Sequence, residues 1–312
     1  MWLIFAGVIT VMIALDILVF NRSSHEIRFR EALISTLVWV GLAIAFNGCV
    51  WYYLGKQKAL EFLTGYIIEE SLSVDNLFIF IMIFSYFRVS RAHQPKILKW
   101  GIFGALVMRG VFIVVGVGLL ERFHWMVYLF GAILVYTGVK MAFGGEEKIE
   151  PEKNLLVRLV RKLVPITKRI SGDRFFIKRR GMVAATPLFL TLLVVESSDL
   201  IFAVDSIPAV LAVTHDPFIV YSSNVFAIMG LRSLYYLLAH VMEMFSYLKL
   251  GVSCILTFVG AKMLLGDLVE IPLSFSLGVI VGTLTLSILA SWVKPGKMKP
   301  GRVKGEKRPP SP

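Results

Sequence analysis

The stretch Val194-Val-Glu-Ser-Ser-Asp-Leu-Ile-Phe-Ala-Val-Asp-Ser-Ile-Pro-Ala-Val210 decides how the rest of this 312-residue chain is read. It lies within an apolar run of about 183–213, long enough to cross a bilayer, yet it holds Glu196, Asp199 and Asp205. Its counterpart is Glu69-Glu-Ser-Leu-Ser-Val-Asp-Asn76, in the run 62–87, with Glu69, Glu70 and Asp75. Together with Asp16 these are seven of the 21 acidic residues, all inside apolar segments. A charge at the centre of a spanning helix costs about 2.5–3.5 kcal/mol, so the six on these two helices cost roughly 15–20 kcal/mol before pairing or protonation. Such clustering points to a cation, a proton pathway or internal ion pairs.

Around these two runs lie seven more, at about 2–20, 32–54, 97–120, 125–143, 218–239, 247–266 and 273–292. The composition agrees: 57% of residues are hydrophobic and the mean hydropathy is +0.75. Only 17% are charged, against about 25% in ordinary soluble domains. A disordered chain would be poorer in apolar residues, and a soluble globule could not cover this much apolar surface. Each run suits a spanning helix of about 20 residues. The expected fold is an all-α polytopic membrane protein with about nine transmembrane helices. The first run has no basic segment before it and no small-residue cleavage site, so it reads as a spanning helix and not a signal peptide.

The net charge of +12 is concentrated on one face. Of 33 Lys and Arg residues, 26 lie in the loops after segments 1, 3, 5 and 7 and in the C-terminal tail; three lie in the alternate loops. The remaining four, Arg109, Lys140, Arg232 and Lys262, sit within apolar segments. The positive-inside rule then places the N-terminus outside and the C-terminus in the cytoplasm. Within the basic loop 144–182, Asn154–Val164 has apolar residues at three- and four-residue spacing, as in a short interfacial helix; a solvated connector is the alternative. The tail, 293–312, rich in Lys, Pro and Gly, reads as disordered. It lacks aromatic platforms, and the membrane accounts for its charge, so no nucleic-acid partner is expected. Cys49 and Cys254 lie in apolar runs outside any CxxC pair and read as small buried hydrophobes.

The chain also repeats itself. Tyr128-Leu-Phe-Gly-Ala-Ile-Leu-Val-Tyr-Thr-Gly-Val-Lys-Met141 matches Leu250-Gly-Val-Ser-Cys-Ile-Leu-Thr-Phe-Val-Gly-Ala-Lys-Met263. Upstream, Met108-Arg109-Gly110 parallels Leu231-Arg232-Ser233, and Glu69-x5-Asp75-Asn76 parallels Asp199-x5-Asp205-Ser206. Each unit, about 62–143 and 183–266, has three spans, so the two must face opposite ways. Within a single domain of residues 1–292 this predicts two inverted three-helix repeats, with a site near the midplane formed by discontinuous helices. Pro208 predicts a break soon after Asp205, and Pro187 an irregularity near the helix start; Ser71, Ser73 and Asn76 can loosen the other helix by back-bonding.

The donors near the acids are oxygens: Ser71, Ser73, Asn76, Ser197, Ser198, Ser206 and Asn224. All five histidines lie in loops or at helix ends. An oxygen-only site suits Mg²⁺, Ca²⁺ or Mn²⁺ and argues against Zn²⁺ or Cu⁺. The candidate ion-path residues are Glu69, Asp75, Asn76, Glu196, Asp199, Asp205 and Ser206; Glu70, Ser71, Asn224, Arg109 and Arg232 form a second rank. Purely structural pairing with the four intramembrane bases is the bland reading, but it leaves three of seven acids over. Arg109 and Arg232 are expected to neutralise the site or pair with one carboxylate. No His accompanies the paired acids, so an intramembrane hydrolase is disfavoured and no enzyme activity is expected.

At Glu69–Phe78 and Glu196–Pro208, and also at Asp216-Pro-Phe-Ile-Val and Ser223-Asn-Val-Phe-Ala-Ile-Met-Gly-Leu-Arg232, the chain resembles the TerC family of integral membrane proteins, in its Alx-like branch. The likeness covers about residues 1–292; the Glu-x2-Asp-x5-Asp-Ser-Ile-Pro stretch is its most specific part. The resemblance implies a multi-pass inner-membrane transporter linked to manganese export and tellurite resistance. It also implies ion-path roles for Glu69, Asp75, Asn76, Glu196, Asp199 and Asp205. At the position after Glu69, where such proteins carry Lys, this chain has Glu70, which adds a negative charge. The expected function is export of a divalent cation, manganese, in exchange for protons, with no permanently bound cofactor. The alternative is a membrane-bound redox modulator or a tellurite- or stress-resistance component without transport activity.

Overall fold

The structure is a computed structural model, and it describes residues 2–18, 29–123, 125–143, 165–167, 174–179, 182–241, 247–266, 268–269 and 271–293. Among the described residues there are nine helices: α1 (Trp2–Leu18), α2 (Phe29–Leu54), α3 (Lys56–Tyr86), α4 (Gln94–Arg122), α5 (Met126–Phe143), α6 (Pro187–Leu211), α7 (Pro217–Val241), α8 (Leu248–Leu264) and α9 (Leu273–Val293). They match the nine apolar runs in order. Five, α2, α4, α5, α6 and α9, are long and apolar enough to cross a membrane by length and composition. The segment 154–164 and the tail from 294 onward fall outside the described residues.

The helix ends follow local chemistry. Gly55, at φ +88°, turns the chain from α2 into α3 in a single residue, a conformation that costs a residue with Cβ. Asp216 caps α7: its Oδ1 accepts the Phe218 N–H at 3.0 Å, and Pro217 supplies the favoured first helical residue.

Three expectations are corrected. The structure is not purely helical: β1 (Phe176–Arg179) and β2 (Met182–Ala185) form an antiparallel hairpin. The apolar run beginning at 183 therefore starts as a strand. Pro187 disfavours helix before it, and Thr186 ties the junction back through its N–H to Phe175 O at 2.9 Å. Second, α6 does not break after Asp205. Pro208 lies within the last turn before Leu211, so its missing N–H removes one bond close to where the helix ends anyway. The serines back-bond without breaking the helices: Ser71 to Ile67 O, Ser197 to Leu193 O at 2.6 Å and Ser198 to Val194 O at 2.8 Å. Third, Cys49 and Cys254 are exposed free thiols and not buried ones; each sits on the outward face of its helix, beside a buried neighbour, Val50 or Ser253.

The outward surface is apolar. On α4, Val107, Val111 and Val114 share one face at i, i+4 and i+7 and are 58–72% exposed, while the opposite face buries Ala105, Arg109 and Ile113. Water would penalise that arrangement and lipid would not. Inside, three apolar clusters surround a polar centre. One joins α5, α6 and α8 through Leu134, Ile207 and Ile255. A second joins α1, α2, α3 and α7 through Phe5, Trp39, Phe62 and Phe226. The third joins α3, α4, α6 and α7 through Leu77, Leu98, Val194 and Tyr235.

α5 and α8 cross most closely. A Cβ on Gly260 would lie 2.7 Å from Gly131 O and 2.8 Å from Val135 N, and one on Gly138 would lie 2.8 Å from Thr257 N and 2.9 Å from Ser253 O. Small residues here let two backbones touch. α3 packs against α6 and α7, and α4 against the same two helices.

Candidate functional site

Helical spacing lines up polar groups along α3 and α6. Glu69, Ser73, Asn76 and Phe80 recur at i, i+4, i+7 and i+11, and Glu196, Asp199, Ala203 and Ser206 at i, i+3, i+7 and i+10. Each set therefore occupies one helix face. Where the two helices meet, α4 contributes Arg109 and α7 contributes Asn224.

The four side chains are fully enclosed: Glu69 is 0%, Arg109 1%, Asp199 4% and Asn224 0% exposed. The Arg109 guanidinium holds them together. Its Nη1 is ion-paired with Glu69 Oε1 and donates to Asn224 Oδ1 at 2.8 Å. Its Nη2 donates to Asp199 Oδ1 at 3.2 Å, and Nε approaches Asp199 Oδ2 at 3.5 Å. Asn224 Nδ2 closes the ring by donating to Glu69 Oε2 at 3.1 Å. Two carboxylates, one guanidinium and one amide thus meet from four helices, with a net charge of −1 when both acids are ionised. Glu69 and Asp199 are the positions that the internal repeat makes equivalent.

Beside this cluster is a small cavity lined by Phe80, Leu98, Gly101, Val195, Glu196 and Asp199, among others. The Glu196 carboxylate fills the space over Gly104 of α4, where a Cβ would collide with it. Further polar atoms on the same two faces have no hydrogen-bond partner among the described residues: Ser73 Oγ, Asn76 Nδ2 and Ser206 Oγ. All three residues are at most 3% exposed. Buried polar atoms are normally satisfied, so this concentration of orphans suits a seam visited by a polar species.

The sequence candidates divide. Glu69, Asp199, Arg109 and Asn224 come together, and Glu196 shares a cavity with Asp199. Asp205 accepts a hydrogen bond from Thr137 of α5 at 2.9 Å. Glu70 points elsewhere: Oε1 lies 3.8 Å from where a Cβ on Gly230 of α7 would stand, beside Trp39 of α2. Ser71 is occupied with its own helix. Arg232 is buried on α7. Asp75 lies on α3, but its side chain, like that of Asp16, is outside the described residues. Among the described residues no three His, Cys, Asp or Glu side chains converge closely enough to hold a metal by themselves. Any cation would therefore have to take amide or hydroxyl oxygens as well, or draw the acids closer.

Three participants were not foreseen. Thr137 falls in the repeated stretch, but Val259 stands at its counterpart, so the repeat gave no signal. Gly104 was legible only as one of five glycines on α4. Glu61, just before the third apolar run, joins a polar clasp at one end of the bundle: Thr214 Oγ1 donates to its Oε2 at 2.6 Å, and Lys58 Nζ lies 3.0 Å from both Glu61 and Asp216. Burial depresses the Lys58 pKa, but hydrogen bonds and attraction from Asp216 and Glu61 outweigh it and leave the pKa raised.

Comparison with known proteins bears on the family. Residues 54–299 match the family described as integral membrane protein TerC family. An uncharacterised membrane protein of Myxococcus xanthus is 48% identical over 294 residues, covering 94% of this chain and 92% of its own. A protein of Escherichia coli K12 named as a candidate membrane-bound redox modulator, Alx, is 46% identical over 303 residues, covering 94% of each. An uncharacterised membrane protein of Rickettsia bellii is 35% identical over 293 residues, covering 94% of this chain and 97% of its own. No solved structure matches.

Proposed function

The chain belongs to the TerC family of integral membrane proteins, and we propose that it exports a divalent cation, manganese, through the carboxylate-lined seam between α3 and α6. The observation that carries this reading is the convergence of Glu69 and Asp199, with Asn224 and Arg109, at a fully enclosed point where four helices meet. A purely structural core would do better without them, because replacing a buried ion network by packed apolar residues is often neutral or stabilising. The candidate metal donors of the seam are carboxylate, amide and hydroxyl oxygens, which suits a hard dication. Glu196 and Asp205 extend the path along α6, Asp75 is assigned to it from its place in the sequence, and Asn76 and Ser206 add neutral oxygen donors. The acids can take up protons as the metal leaves, because ligands must be deprotonated to bind it, and this couples export to proton entry. No resident cofactor, no catalysis and no nucleic acid enter this scheme; the partners are the bilayer, the dication and protons.

We read all nine helices as spanning the inner membrane, N-terminus outside and C-terminus cytoplasmic, with α3–α5 and α6–α8 as inverted units. The close crossing supports the pairing. The sequence match offsets the units by 122 residues, from Tyr128 to Leu250. That offset converts Gly138 into Gly260, Gly131 into Ser253 and Val135 into Thr257. Gly138 meets Ser253 and Thr257 just as Gly260 meets Gly131 and Val135. The same exchange carries the α3–α7 contact onto α6–α4.

Cellular manganese content, with and without the protein, tests the reading. Wild type is expected to lower it, and Asp75→Asn, Asp199→Asn and Asp205→Asn to abolish the effect. Undiminished export in all three would remove the seam from the mechanism. The name carried by the Escherichia coli relative, together with the two exposed thiols, gives the second reading, a redox component. A C49S/C254S double variant separates them: a thiol redox protein loses its activity, and an exporter keeps it.

A further inference from the structure

Arg109 occupies the position where the transport reading needs a cation. Its guanidinium uses Oε1 of Glu69 and both carboxylate oxygens of Asp199, and the remaining Glu69 oxygen is taken by Asn224. A dication that is to ligate this pair must first displace these donors. We propose that the Arg109 guanidinium is a tethered competitor of the transported cation, so that the two occupy the Glu69–Asp199 pair in turn; this rests on the export reading above.

Charge supports alternation. With guanidinium between the two carboxylates the cluster carries −1; with a dication in its place it is neutral. With both present it would carry +1, and two cations a few ångströms apart in a water-poor interior repel strongly. Two features show how the guanidinium could yield. Asn224 Oδ1 accepts from Nη1 at 2.8 Å, so part of what holds the guanidinium in the cluster is a neutral contact and not an ion pair. Glu196, one turn from Asp199 on the same face, has no hydrogen bond or ion pair among the described residues and lines the cavity that reaches Asp199. An arriving dication therefore meets Glu196 first, and Asp199 next as Arg109 gives way. The arginine would also spare two buried carboxylates from facing each other without a counter-charge, and it would weaken cargo binding enough for release. A site free of guanidinium about one tenth of the time binds about tenfold more weakly than its intrinsic affinity.

The test is Mn²⁺ binding to the purified full-length protein in lipid nanodiscs, with free Mn²⁺ read by electron paramagnetic resonance. R109Q is expected to bind about tenfold more tightly than wild type. R109K keeps one charge but cannot bridge both carboxylates, so its affinity should fall between the two. Thermal unfolding of each variant monitors folding. Equal affinities for the three forms, or weaker binding by a folded R109Q, would overturn the competition while leaving the transport reading in place. Should R109Q not fold, R109K alone must still exceed wild type, or the inference falls. If no form binds Mn²⁺, or if D199N binds as well as wild type, the transport reading itself fails and takes this inference with it.

Discussion

A single absent methyl group holds Glu196 where it is. The Glu196 carboxylate rests in the space that a side chain at position 104 would fill. Gly104→Ala forces that carboxylate away from α4. Because a carboxylate at the end of a flexible chain can move, the stability cost should be about 1 kcal/mol or less, at the low end of overpacking penalties. Manganese export should fall about tenfold, equivalent to about 1.4 kcal/mol of lost binding. Parallel melting curves and efflux measurements check this; unchanged efflux would mean that the position of Glu196 does not matter. At this scale the sequence was informative about which residues and poor on how they pair. Intramembrane acids announce themselves by their cost, so Glu69, Asp199 and Glu196 could be picked out one by one. That Arg109 bridges Glu69 and Asp199 while Asp205 turns to Thr137 depends on side-chain directions across four helices, which one-dimensional spacing does not encode.

At the scale of elements, two contacts hold the bundle in different ways. The α5–α8 crossing is backbone on backbone. Gly260→Ala places a methyl 2.7 Å from Gly131 O, an atom that cannot swing aside. The helices must part, and about 1–3 kcal/mol of stability should be lost. Gly282→Ala on α9, with nothing within 4 Å, is the control and should be neutral or slightly stabilising through helix propensity. Equal melting temperatures for both variants would contradict the close crossing. The clasp of Lys58, Glu61 and Asp216 is electrostatic and partly exposed, with the Lys58 side chain at 33%, so Lys58→Gln should cost about 1 kcal/mol or less. The Lys58 pKa is raised in the fold. Its stabilising contribution is therefore fully present below the unfolded value, 10.5, and is lost only as pH climbs through the folded value. The stability difference between wild type and Lys58→Gln should stay constant from about pH 6 to 9, well below the ordinary lysine pKa. A difference that shrinks across that window would assign the clasp to another titrating group. The helix count was legible because apolar runs are long and their separators charged. The hairpin at 176–185 was not, because Met182–Ala185 continues the apolar run and only Pro187 marks where helix can begin.

At the scale of the whole molecule, the charge distribution carries the orientation. Twenty-six of 33 basic residues fall in alternate connections. Such a bias sets topology when it lies in short loops close to the spans. The loop between α5 and α6 and the C-terminal tail carry eighteen of these 26, so these two segments dominate the decision. Reporter fusions after Phe143 and after Val293 should therefore report the cytoplasm, and fusions at Gly55, Phe123 and Thr214 the outer side. A uniform reversal would show that the basic segments do not govern insertion. A reversal confined to sites after one helix would show that this helix does not span. The second outcome would bear on the transport reading, because inverted units require three crossings each. If α8, with its 17 residues, failed to span, the fusion after Val293 alone would change sides. Glu69 and Asp199 would still meet, but the α5–α8 crossing could no longer relate the two halves. Orientation and mechanism are in this way tied to one measurement: the side on which residue 293 lies.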